Sequence, residues 1–204
     1  MAESSRGSRP GGRSARVQNA VFEATLAEFV ECGYTALTIE RIAARAGVHK
    51  TTVYRRWTDR DALLAAAVRD LAQIPVPALD TGSLRSDLQA YAHGIVEVLT
   101  GPAGGVARTA MSSDAIRVPE IAQIKQLLIS TRRPISTKIV ARAVDRGELA
   151  ADTDPHALID FLVAPLYFRL LISEEPLDGE LADQVSIATL AAARDGAFGS
   201  AGRR

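Results

Sequence analysis

The sequence predicts an all-α protein: an N-terminal three-helix unit built around a helix-turn-helix, followed by a larger helical domain. Aromatic residues are only 5% of the 204 while hydrophobic residues are 47%, mostly Ala, Leu, Ile and Val, which is ample for a packed core. Apolar positions recur at three- and four-residue steps over long segments rather than in alternation, the spacing of helices that bury one face. Glycine and proline punctuate these segments at intervals suited to helix ends.

The first helix is expected from about Ser14 to Cys32, with Val17, Ala20, Val21, Ala24, Ala27 and Val30 on one stripe and Phe22, Leu26 and Phe29 widening it. Ahead of it, residues 1–13 form a flexible basic arm whose Arg6, Arg9 and Arg13, together with Arg16 just beyond it, could reach a minor groove. Gly33 suits the left-handed residue that closes a helix, and Tyr34 packs back onto it. Thr38 then caps a second helix that buries Ile39, Ile42, Ala43 and Ala46, and Gly47 makes the turn that follows. A third helix, about His49 to Trp57, turns Val53 inward, with Trp57 packing between helices. Asp59 caps the fourth, RDALLAAAVRDLA, and the prolines between Ile74 and Gly82 end the first domain, taken as 14–74.

The second domain, 82–198, opens with a helix from Leu84 to Thr100, a GPAGG loop and a short helix from Val106 to Ser113. The long pattern from Pro119 to Gly147 contains Pro134, which predicts a kinked helix or two abutting ones. Asp154 and Pro155 form an N-cap and first-turn pair for a helix over 155–173, apolar nearly all round, and a last helix runs over about 177–193 before a loose tail. Two late helices with excess apolar surface imply burial by another chain, most simply a twofold homodimer through 155–173 and 177–193.

Charge is unevenly placed in this neutral chain: residues 1–71 hold eleven Lys/Arg against eight Asp/Glu, and residues 72–204 thirteen against sixteen. Between Arg41 and Arg60 stand six cations (Arg41, Arg45, Lys50, Arg55, Arg56, Arg60) against the single acid Asp59. Such a basic island on compact helices suits a duplex-reading unit. Its first helix braces, Gly47 turns, and the next helix enters the major groove. His49, Lys50 and Thr51 have the chemistry to read base edges, whereas Thr38, Thr52, Tyr54, Arg56 and Arg60 suit phosphate.

Enzymatic chemistry is not expected: three scattered histidines, one cysteine and no phosphate loop or metal-ligand spacing supply neither a catalytic constellation nor a metal or cofactor site. The lone Cys32 points to a reducing interior. No apolar run of about 18 residues and no secretory segment are evident, so a cytoplasmic protein without a membrane span is expected.

These residues resemble the TetR family of transcriptional regulators. The likeness lies in ECGY and in TIERIAARAGVHKTTVYRRWTDRDALL: Thr38, Ile42 and Ala43, Ala46 to Val48, Tyr54, Trp57, Arg60 and Leu63 fall where the family shows its helix start, turn, aromatic stop and following Lys-Leu. Arg60 replaces the usual Lys, and His49 stands where a small Ser is common. The resemblance implies a homodimer joined through its last two helices, bound to a palindromic double-stranded DNA operator and released by a small-molecule effector in the larger domain. Repression is the output it implies. For that effector, Tyr91, His93, Met111, Phe161 and Phe168 are the candidate contacts, with Arg169 a further polar residue in apolar surroundings; as aromatics, Phe161, Tyr167 and Phe168 suit a dimer face or the core better than a cofactor box. The competing function class is a helical small-molecule-binding or adaptor protein without operator recognition.

Overall fold

The computed structural model describes residues 11–72, 80–111 and 119–199, and the regular elements among them are all helical. They divide into two compact units, Met1–Val68 and Arg69–Arg204. The expected linker falls largely in residues 73–79 and most of the expected arm in residues 1–10, both outside the described residues.

In the first unit, α1 (Gly11–Ala36) begins earlier than the predicted Ser14 and is interrupted at Gly33, whose φ of 72° and ψ of 178° is a combination open only to glycine. Val21, Phe22, Ala24 and Phe29 are buried from its face. The helix-turn-helix follows as α2 (Ile39–Arg45) and α3 (Lys50–Tyr54), and α4 (Arg60–Ala72) completes the unit. Ile39, Ile42, Val53, Leu63 and Leu64 of the later helices are buried as well. Phe22 and Trp57 meet edge-tilted with ring centroids 5.6 Å apart, so the tryptophan is a packing residue.

The second unit contains α5 (Leu84–Thr100), α6 (Pro102–Met111), α7 (Pro119–Asp145), α8 (Pro155–Phe168) with a π-helical turn Arg169–Ser173, and α9 (Gly179–Arg194). Its core joins Leu84, Leu88, Ile95, Ile139, Leu158, Leu162, Leu166 and Leu190. Each such side chain contributes about 1.5–3 kcal/mol by leaving water.

Three sequence expectations change here, and a fourth is narrowed to one of its two alternatives, a single helix running through Pro134. The GPAGG segment is helix rather than loop from Pro102 onward. Gly104 is there for space: a Cβ built on it would lie 1.7 Å from the Leu99 carbonyl oxygen, so only glycine lets α6 fold back this closely onto α5. Pro134 sits inside one continuous α7, where Ser136 and Thr137 hydroxyls donate to the Arg133 carbonyl. The tail is anchored as far as Phe198, whose ring is buried against Phe161 and whose carbonyl accepts from the Asp154 amide at 2.8 Å. Finally, Pro155–Ser173 is long and apolar enough, by length and composition, to cross a membrane, contrary to the expectation that no such run exists. One face of it packs into the core of this unit, burying Leu158, Leu162, Leu166 and Leu170.

A buried ionic cluster absent from the sequence reading ties the start of α5 to the end of α7. Asp87, 1% exposed, accepts from the Thr81 amide at 2.8 Å and hydroxyl at 2.6 Å and from Arg146 Nη2 at 3.0 Å. Arg146 also donates to Glu148, and Glu148 in turn accepts from the Leu84 amide at the first turn of α5. The charges are therefore paired and hydrogen-bonded, which is what makes burial tolerable.

Candidate nucleic-acid interface and ligand cavity

The turn between α2 and α3 is built by local bonds. Thr38 accepts the Arg41 amide through its hydroxyl at 3.3 Å, which caps α2. At the other end Gly47 takes φ 65°, its amide donates to Ala44 and the Val48 amide donates to Ala43 at 3.0 Å. That pair of bonds is a Schellman closure, and it needs the positive φ that glycine supplies.

Only Val53 of α3 is buried, so the remaining positions distribute around one inward anchor. Lys50, Thr51, Tyr54 and Arg55 are exposed and, at about 100° per residue, fall within an arc of about 140°. His49 is the exposed N-cap residue, extended at φ −71° and ψ 141°, without a side-chain capping bond. Tyr54 is 49% exposed, unusual for so large a ring. Thr52 is half-buried at the edge of this face.

The basic island is less free than the linear count implies. Arg41 and Arg45 both reach Glu28 of α1, at 2.6 and 2.9 Å, and Arg45 makes a bidentate pair with Glu31. Glu28 is only 5% exposed, so these two arginines brace α2 against α1. The hydrogen bond from Arg45 holds the Glu31 carboxyl below its ordinary range, and the acids in turn raise both guanidinium groups. Arg56 donates to Ser14 through Nη2 at 2.7 Å. Lys50 lies 3.9 Å from Glu40, an exposed pair too loose to hold it.

Arg60 departs furthest from its expected role as a phosphate contact. Its guanidinium stands 4.5 Å over the Tyr34 ring, donates to the carbonyls of Tyr34 and Leu37, and approaches Asp61 at 3.3 Å. Asp61 also accepts from the Tyr34 hydroxyl at 2.9 Å, while Asp59 caps α4 by accepting two amides. The residue is therefore committed within the unit. Arg55, counted in the island but not singled out, is the exposed cation on the α3 arc with no ion pair among the described residues. Its four-residue step from Thr51 was the signal that could have found it.

The second unit holds a half-open cavity of about 380 Å³ lined from α5, α6, α7 and α8. Tyr91, Ile95, Ala107, Ala110 and Met111 line one side; Ile159, Val163, Tyr167 and Leu171 line the other. Beside the two tyrosines, Arg133, Ser136, His156 and Asp160 add polar groups, none of these four anticipated from the sequence.

Three expected ligand contacts lie elsewhere. His93 sits two residues beyond Tyr91, on the opposite side of α5, and its Nε2 pairs with Asp183 of α9 at 2.8 Å. That bond, joined by one from Gln89, lowers the Asp183 pKa. Phe161 and Phe168 are 51% and 57% exposed, on the face of α8 that turns away from the cavity. Arg169 pairs with Glu175 and donates to the Pro176 carbonyl.

The outward stripe of α8 and its extension comprises Phe161, Ala164, Pro165, Phe168 and Ile172, at three- and four-residue steps. Ile172 is 70% exposed, and on α9 Ile187 is 58% exposed beside Ala188 and Ala191. Exposed apolar residues set in such rows mark an interaction surface.

Residues 21–67 match the family model described as bacterial regulatory proteins, tetR family. Residues 78–188 match the model described as tetracyclin repressor-like, C-terminal domain. An HTH-type transcriptional regulator of Mycobacterium tuberculosis, Rv1556, is 34% identical over 156 residues, 74% of this chain and 75% of its own. The DNA-binding transcriptional repressor TetR of Mycobacteroides abscessus is 32% identical over 178 residues, 81% of this chain and 90% of its own. Among solved structures, the TetR family transcription regulator SCO0332 aligns with a TM-score of 0.61 at 30% identity, covering 86% of this chain and 97% of that one.

Proposed function

The chain belongs to the TetR family, DNA-binding transcriptional regulators with a ligand-binding C-terminal domain, and we propose that this member is a homodimeric repressor released by a small apolar effector. The observation that carries the reading is the α3 face, where Val53 alone is anchored and Lys50, Thr51, Tyr54 and Arg55 stand exposed behind the N-cap His49. A short helix presenting its leading residues in this way fits the major groove of a palindromic operator.

In this reading His49, Lys50 and Thr51 meet base edges. Thr38, Thr52, Tyr54, Arg55 and Arg56 hold phosphates; the Thr38 hydroxyl accepts an amide yet keeps its own proton to donate. Arg60 leaves the phosphate set and becomes the clamp of the segment that leads into α2. Two copies pair through the outward stripes of α8 and α9, which would remove Phe168, Ile172 and Ile187 from water. The protein acts in the cytoplasm, where its operator is.

The effector occupies the 380 Å³ cavity, a size and lining typical of small-molecule sites. Release requires that it bind better to the DNA-incompetent state, because a ligand indifferent to the two states shifts nothing. The test is selection of bound genomic fragments followed by gel shifts on the enriched sequence. A discrete inverted repeat bound far more tightly than random duplex is the expected result; retention no better than random duplex would defeat the reading.

A further inference from the structure

Resting on the reading of the second-unit cavity as the effector site, we infer that its effector is a neutral, largely apolar molecule that donates a hydroxyl proton to His156 Nε2. The argument begins at Ser136, which lines the cavity and is 2% exposed. Its Oγ lies 2.6 Å from the Arg133 carbonyl oxygen. A carbonyl carries no proton, so the serine hydroxyl must donate there.

That donation leaves Ser136 Oγ only its lone pairs for His156 Nδ1, 3.2 Å away. Nδ1 must then carry the proton, and an imidazole with one proton keeps a bare acceptor at Nε2. Nε2 has no hydrogen-bond partner among the described residues, while the His156 amide is already spent on Asp154. An acceptor left unpaired by a ligand that fills the cavity is costly, so the occupant that satisfies it is favoured.

The charged groups of the lining point to a neutral ligand. Arg133 and Asp160 are both exposed, one of each sign, and neither side chain is ion-paired among the described residues. An anion gains from one and loses to the other. Most of the remaining described lining is apolar, with Ile95, Ile129, Ile159, Val163 and Leu171 beside the rings of Tyr91 and Tyr167, and it rewards an apolar body. An engineered apolar cavity of about 150 Å³ admits benzene, so 380 Å³ suits a body of two or three rings or a comparable branched chain.

The test uses the full-length protein and four probes: naphthalene, a naphthol, its methyl ether and the corresponding naphthoate, titrated calorimetrically. The naphthol is expected to bind about tenfold more tightly than the ether, and the naphthoate more weakly than the naphthol. His156→Ala should erase the naphthol–ether difference, and His156→Gln, whose amide oxygen also accepts, should keep part of it. Ser136→Ala, which frees the ring tautomer, should narrow it while leaving the binding of the ether and of naphthalene nearly unchanged. Equal binding of naphthol and ether, a difference that survives His156→Ala or vanishes in Asp160→Asn, or tightest binding of the naphthoate would each overturn the proposal. Binding of none of the four overturns it as well.

Ile159→Trp or Val163→Phe, each filling the cavity, separates this proposal from the reading beneath it. If naphthol and ether bind equally but both are expelled by these variants, the hydroxyl assignment alone fails. Binding that ignores both fillers means the cavity is not the site at all.

Discussion

The guanidinium of Arg60 lies 4.5 Å over the ring of Tyr34 and donates 3.0 and 3.3 Å bonds to the carbonyls of Leu37 and Tyr34. One side chain thus fixes both ends of the short connection between α1 and the Thr38 cap, from which α2 and then α3 take their direction.

Arg60→Ala should therefore destabilise the first unit by about 1–2 kcal/mol, since two carbonyls lose a charged donor and Tyr34 loses its stacked cation. DNA binding falls in step with stability while the salt slope is retained. Urea unfolding and salt-dependent anisotropy check the two quantities. A slope reduced by about one with stability intact would restore Arg60 to the phosphate set.

Lys50→Ala and Arg55→Ala should behave differently. The first is expected to change which operator variants are preferred; the second should weaken all duplexes alike and lower the salt slope by about one. Competition assays against single-base operator variants distinguish them.

Arg45 donates to Glu31 and holds its carboxyl below the ordinary glutamate range. A carboxylate depressed in the folded state contributes stability that is complete above its unfolded value and is lost as pH falls through the lower folded one. Arg45→Ala should return the Glu31 titration to the ordinary range and remove that part of the acid dependence, as followed by carboxyl-carbon NMR.

Phe168→Glu or Ile172→Glu should yield folded monomers by ultracentrifugation, because both side chains are exposed in the isolated chain and their replacement disturbs no core. Binding to a full palindrome is expected to collapse toward that of a half-site. A persisting dimer would move the interface elsewhere.

Gly104→Ala places a methyl against the Leu99 carbonyl, backbone that cannot swing aside. A loss of about 1–3 kcal/mol in the second unit is expected, with no change in the first, and calorimetric melting resolves it.

How much could be foreseen depended on the reach of each interaction. Thr38, Gly47 and Asp59 act on amides within a few residues, so their order in the chain already contains their roles. Glu28 meets Arg41 across thirteen residues and a helix crossing, and a linear charge count has no access to that angle. The same limit hid the commitment of Arg60, 26 residues from Tyr34. For the cavity, His93 could have been set apart from Tyr91, because two steps along a helix turn about 200°. Phe161 and Ile159 are separated by the same step, but which of them faces the cavity depends on where α5 and α7 lie. The glycines of GPAGG signal a loop and close helix packing equally well until Leu99 is seen beneath them.

Helix α8 serves three purposes around its circumference. Asp160 borders the cavity, with Ile159, Val163 and Tyr167 shared between cavity and core; Leu158, Leu162 and Leu166 hold the core alone; and Phe161, Pro165 and Phe168 face outward. A mutation at Asp160 can therefore change the chemistry that the cavity presents while the positions that fold the helix, and those it turns outward, are inherited unchanged.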